Sequence, residues 1–268
     1  FIAASLANAM EDIQKDFNQK YPDVEIFYNA DSSGTLQTQI EEGSRCDIFF
    51  SAATKQMDAL VEEKLAKEES VVNLLENKVV LIKTKDTETR VTGFENITEA
   101  ENLALAGEDV PVGQYAREIF TNLDIMDQVE AMEINEGKNV TEVLAAVTQG
   151  SNEVGVVYAT DAASVADQVE IIAEASSDML ETPVLYPVGM IEDEEALPEE
   201  KVAAETFFEY LQTENALKVF EEHGFSPYTA EVEENDTEEA EDTQADQKTD
   251  SEAEETGEAS TEQEKTAE

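Results

Sequence analysis

Apolar positions along the first 228 residues alternate between two rhythms. Leu6, Ala9, Met10, Ile13 and Phe17 fall at i, i+3, i+4, i+7 and i+11, one stripe of a helix, and Ser5 just ahead of them is placed as its N-cap. A β-rich run at 24–28 follows. Asp31-Ser32-Ser33-Gly34 then leads into a second helix, from near Thr35 through Leu36 and Ile40 to a stop at Gly43. Residues 47–51 read as a buried strand, and Met57, Leu60, Val61 and Leu65 as another helical stripe. This βαβα rhythm predicts a mostly parallel sheet with helices on its faces.

From Lys78 the pattern changes. Strands are expected at 79–83, 103–106, 154–158 and 169–173. Between them, Val110-Pro111-Val112-Gly113 opens a helix striped by Tyr115, Ile119 and Leu123. Asn139 opens another, with Val140, Val143, Leu144 and Val147 on one face and Gly150 at its end. The run 185–191 contains Pro187, which predicts an edge strand or a crossing between layers. Two late helices carry Val202, Thr206, Phe207 and Tyr210, then Leu217 and Phe220, and Gly224 closes the second. The pattern predicts two α/β lobes joined by crossings near 78–84 and 184–190, with the late helices returning to the first lobe. Such chains hold a ligand in the cleft between lobes and close about a hinge.

Charge narrows the partners. Among 268 residues, 64 Asp and Glu face 16 Lys and Arg, a formal −48, which opposes binding to nucleic acid or to an anionic membrane surface. Residues 229–268 hold 17 of the acids against 2 Lys, a net of −15, with Val232 and six Ala as their only apolar residues. That composition predicts a disordered polyanionic tail. One Cys allows no intrachain disulfide, and with one His it excludes the usual zinc sites. The opening at Phe1 without an initiator Met fits removal of a secretory leader.

Several junctions share one design, in which a strand ends on small or hydroxyl residues and a helix begins: Ser5, Ser32-Ser33, Val112-Gly113, Asn139-Val140 and Tyr158-Ala159. In an open α/β sheet these ends face the ligand crevice. Helix starts offer unpaired N–H groups and partial positive charge, so several converging starts make an anion site without Lys or Arg. Each of these Ser and Asn residues is equally an ordinary capping type; their recurrence in both lobes favours a ligand.

The same stretches carry a resemblance. Ala3-Ala4-Ser5-Leu6-Ala7-Asn8-Ala9-Met10, Asp31-Ser32-Ser33-Gly34-Thr35-Leu36, Cys46-Asp47-Ile48-Phe49-Phe50-Ser51-Ala52, Val110-Pro111-Val112-Gly113-Gln114-Tyr115-Ala116, Val154-Gly155-Val156-Val157-Tyr158-Ala159-Thr160-Asp161-Ala162 and Tyr186-Pro187-Val188 follow in the order found in periplasmic molybdate-binding proteins. Those are the substrate-binding components of molybdate ABC importers. The resemblance covers residues 1–228. It implies a two-lobed type II periplasmic-binding-protein fold, with residues 1–82 in the first lobe, 83–186 in the second and 187–228 returning to the first. It also implies an oxyanion held by the hydroxyls of Ser5, Ser33 and Tyr158 and by the backbone N–H of Val112 and Val140. No catalytic residue, cation-ligating residue or cofactor is expected. The implied partners are molybdate or tungstate, a membrane permease and its ATPase. The implied protein is a monomer outside the cytoplasm, in the periplasm or tethered by a lipid on a Cys upstream of Phe1.

A donor-only site would suit molybdate, tungstate and sulfate, which carry no proton at neutral pH, and would penalise hydrogen phosphate by the ~1–3 kcal/mol of an unmet buried group. Asp31 departs from the pattern, and is expected to point away and help cap the Thr35 helix. Cys46 is read as packing. Sulfate and then phosphate are the alternative ligands, and a surface scaffold acting through its acidic tail is a further alternative. An enzyme is disfavoured: His223 is the only His, and there is neither a glycine-flanked nucleophile serine nor a P-loop.

Overall fold

The structure, a computed structural model, describes residues 1–229 apart from Ser177 and Glu194. The expected tail lies outside the described residues beyond Thr229. The chain runs β1 (Ile2–Ala3), α1 (Ala7–Lys20), β2 (Ala30–Asp31), α2 (Ser33–Glu41), β3 (Ile48–Phe50), α3 (Thr54–Glu62) and β4 (Val72–Asn77). It continues through β5 (Val79–Thr84), β6 (Leu103–Ala106), α4 (Pro111–Asn122), α5 (Met126–Glu130), β7 (Ile134–Gly137), α6 (Val140–Thr148), β8 (Val154–Tyr158), α7 (Ala159–Ser164) and β9 (Val169–Glu174). Last come β10 (Val184–Met190), α8 (Pro198–Leu211), α9 (Glu214–Glu222) and β11 (Ser226–Pro227).

Two sheets result, ordered β11-β4-β10-β3-β1-β2 and β7-β6-β8-β5-β9, each flanked by helices as a lobe. Both are mixed rather than mostly parallel. The β1–β2, β1–β3, β6–β7 and β6–β8 pairs are parallel, whereas β4, β5 and β10 pair antiparallel with their neighbours. The reason is local: β4, β5 and β10 flank the two crossings, where the chain passes between sheets with no helical crossover to restore its direction. Only Lys78 separates β4 in the first sheet from β5 in the second, and the return lies between β9 and β10. The sheets therefore change a few residues ahead of the expected 82/83 and 186/187 boundaries.

Pro187 does not lie at an edge. β10 sits between β4 and β3, and the missing N–H is absorbed by a register shift at Tyr186/Pro187 against β4. Residues 24–28 form no strand. Their extended backbone is held by α1, with Gln14 Nε2 donating to the Ile26 carbonyl and Tyr28 Oη to the Met10 carbonyl; only Ala30–Asp31 pairs with β1. The returning helices pack on α1, where Phe17 meets Phe207 and Tyr210 edge-on at 4.9 and 5.2 Å, and Phe220 reaches Phe50 on β3.

Candidate functional site

The N-termini of α2, α4 and α6 converge between the lobes, with the turn after β1 and the end of β8 completing the wall. They line a small cavity of about 10 Å³, roughly room for one water-sized sphere. Ser5, Ser33, Val112, Val140 and Tyr158 all line it, and so do Asp31, Ser32, Ala52 and Asn139. No Lys, Arg or His belongs to this lining. Its positive character comes from helix dipoles and from first-turn N–H groups that have no carbonyl partner in their own helix.

Each donor is placed by its local sequence. Ser33 is the first residue of α2, and Ser32, rather than Ser33, caps that helix by accepting the Thr35 N–H at 3.1 Å. Ser33 Oγ instead accepts the Ala52 N–H at 2.9 Å, which leaves its own proton free. In α4 Pro111 takes the first position, so the Val112 N–H is the first that the helix can offer. Asn139 caps α6 by accepting the Glu142 N–H, presenting the Val140 N–H beyond it. Tyr158 is buried, and burial pushes its phenol well above the ordinary tyrosine value, so it stays protonated as a donor. Its Oη lies 3.5 Å from the Ala52 carbonyl, a weak contact that does not commit it.

Ser5 is not a helix cap. It sits in a short 3-10 turn ahead of α1, whose N-cap is Leu6 without a side-chain bond, and Ser5 Oγ pairs with Tyr186 Oη at 2.9 Å. Asp31 also departs from expectation. It does not cap α2, because Ser32 does. Its Oδ1 accepts the Ser32 N–H at 2.8 Å and, across the cleft, Asn139 Nδ2 at 3.2 Å. The wall thus carries one carboxylate, and the lining is not purely donor. We expect Asp31→Asn to keep both hydrogen bonds while removing a charge beside the site. Dianion affinity, measured by calorimetry, should then tighten by on the order of 1–2 kcal/mol. Weaker binding would mean that the charge itself organises the two helix starts.

The lobes meet around the cavity. Gln56 Nε2 donates to Gln114 Oε1 at 3.3 Å from lobe to lobe, and Gly34 at the start of α2 abuts the Asp109 backbone just before α4. Tyr186 and Asn77, which join Ser5 through hydrogen bonds, were not singled out by residue chemistry. Asn77 lies in β4, whose mixed Val72-Asn73-Leu74-Leu75-Glu76-Asn77 sequence gives a weak strand signal.

Two sheets joined by two adjacent crossings, with an interlobe cavity lined by helix starts, are the architecture of a solute-binding protein. Residues 1–226 match the family model described as bacterial extracellular solute-binding protein, and the chain belongs to that family. Its relatives include YvgL of Bacillus subtilis, whose name provisionally describes an ABC transporter substrate-binding lipoprotein, 41% identical over 84% of each chain. The molybdate-binding protein ModA of Haemophilus influenzae is 34% identical over 84% of this chain and 88% of its own. The periplasmic molybdate-binding protein of Azotobacter vinelandii shares the fold with a TM-score of 0.72 at 19% identity, over 85% of this chain and 98% of that one. This is a ModA-like substrate-binding protein of ABC transport and not an enzyme. No helix among the described residues is long and apolar enough to cross a membrane.

Proposed function

We propose that this protein captures molybdate or tungstate between its lobes outside the cytoplasmic membrane and delivers it to an ABC permease driven by its ATPase. The observation that carries this reading is the convergence of three helix N-termini and four hydroxyl side chains on one small cavity free of basic side chains. Neutral donors hold a fully deprotonated oxyanion without the desolvation cost of a buried cation. Hydrogen phosphate brings a proton that needs an acceptor. The only carboxylate on the wall is Asp31; its Oδ1 accepts from Ser32 and Asn139, so its Oδ2 is the acceptor that a phosphate proton would have to reach. The permease would read both lobe surfaces together, because only the closed state presents them in one arrangement.

Titration calorimetry at neutral pH with molybdate, tungstate, sulfate and phosphate tests this. Molybdate and tungstate should bind tightly, sulfate more weakly and phosphate least. Ser33→Ala and Tyr158→Phe should each weaken molybdate binding by ~1–2 kcal/mol. Phosphate binding as tight as molybdate would overturn the reading.

A further inference from the structure

Asn77 ends β4 where the chain leaves the first sheet, and Tyr186 stands within β10; both side chains are buried. Their hydrogen bonds have one consistent sense. The Lys78 N–H can only donate, and it reaches Asn77 Oδ1 at 2.9 Å, so the other end of the amide is the NH2 group. That Nδ2 spends its two protons on Thr160 Oγ1 at 2.9 Å and on Tyr186 Oη at 3.1 Å. Tyr186 thus accepts from Asn77, and its single proton goes to Ser5 Oγ, 2.9 Å away. With Ser5 donating instead, the phenol proton could turn only to the Tyr158 hydroxyl, its other partner within this fully buried cluster. Ser5 Oγ is then an acceptor on its Tyr186 side, and its own proton is the part left to turn into the cavity that it lines.

We infer that Tyr186, oriented by Asn77, is a positioning residue that fixes Ser5 as a donor toward the bound anion and so sets the preference for fully deprotonated oxyanions. The inference rests on the oxyanion reading above. Ser33 is polarised in the same sense from the other side, by the Ala52 N–H, so each serine accepts one bond from the protein and keeps its proton for the cavity. Neither Tyr186 nor Asn77 lines the cavity; each acts through Ser5. The chain of bonds from Ser5 to Thr160 also runs past Lys78, where the chain crosses between sheets.

The test is calorimetry of the full chain with sodium molybdate and with inorganic phosphate at mildly alkaline pH, where phosphate carries one proton. In Tyr186→Phe the Ser5 hydroxyl is free to rotate, and its oxygen can accept that proton. Molybdate should weaken by about tenfold while phosphate weakens little, so the ratio of the two affinities shrinks by about the same factor. A second variant reverses the relay. Asn77→Asp keeps the size and the Lys78 contact but offers Tyr186 an acceptor in place of a donor. The phenol then donates to the new carboxylate, and Ser5 donates to the phenol instead of the cavity. Molybdate affinity should fall by at least as much as in Tyr186→Phe, and recover relative to wild type as the pH is lowered enough to protonate the new carboxyl.

Equal weakening of both anions in Tyr186→Phe would show a packing role only and overturn the inference while leaving the oxyanion reading intact. Should Asn77→Asp fail to fold, the anion ratio in Tyr186→Phe decides alone. If the wild-type chain binds none of the anions, the functional reading falls first and takes this inference with it.

Discussion

Gly34→Ala should leave the chain folded and largely stop it binding. Gly34 is the second residue of α2, and a Cβ built there overlaps the carbonyl oxygen of Asp109 on the opposite lobe, with the carbonyl carbon 3.0 Å away. Backbone cannot give way as a flexible side-chain tip can. Within α2 the change is benign or better, since alanine in a helix is favoured over glycine by up to about 1 kcal/mol. The clash therefore falls on the closed arrangement alone. Overpacking a tight contact costs about 1–3 kcal/mol, and at the upper end of that range affinity for a ligand that needs closure drops roughly a hundredfold. Thermal melting without ligand should be unchanged or slightly raised, and molybdate titration should show the loss. Wild-type affinity in this variant would mean that the lobes close on the ligand without bringing α2 against the Asp109 backbone.

The importance of that contact was not legible in the sequence, and the reason bears on the rest of the fold. Asp31-Ser32-Ser33-Gly34 reads as a helix start from its residue types alone, but what lies opposite is set by a lobe some seventy residues further along. Strands with unbroken apolar runs, such as Val154–Tyr158, were readable because burial on both faces writes itself into composition. Val72–Asn77 and Ile134–Gly137 were missed because their polar positions dilute the pattern. Pro187 is expected at an edge or at a crossing between layers; β10 brings the chain back into the first sheet, and there a register shift lets the residue sit mid-sheet. The five residues expected to face the ligand do come together at one cavity. The hydrogen-bond partners of the two serine hydroxyls, Ala52 and Tyr186 with Asn77 behind it, are ones that spacing along the chain cannot reveal.

Asp161 supplies the other large expected effect, on stability rather than binding. It is the third residue of α7, buried at the junction of the lobes, where its Oδ2 accepts the Tyr158 N–H at 3.2 Å. Burial raises its pKa to about 7, and the Tyr158 N–H offsets only part of that rise. The raised value means that the folded chain keeps a proton which the unfolded chain, with an ordinary aspartate, gives up first. Below the ordinary aspartate range both states hold the proton and the group is neutral for folding. As the pH climbs from there to about 7 the unfolded state is progressively favoured, and above about 7 the loss is complete. Asp161→Asn keeps an oxygen for the Tyr158 N–H and removes the titration. Denaturant unfolding of wild type and variant at about pH 5 and about pH 8 separates this group from the general repulsion of an acidic chain, which both proteins share. The advantage of the variant should be larger at the higher pH by about 2–3 kcal/mol. An advantage independent of pH would mean that the carboxyl is ionised in the folded state across the whole range and that the closed lobes solvate it.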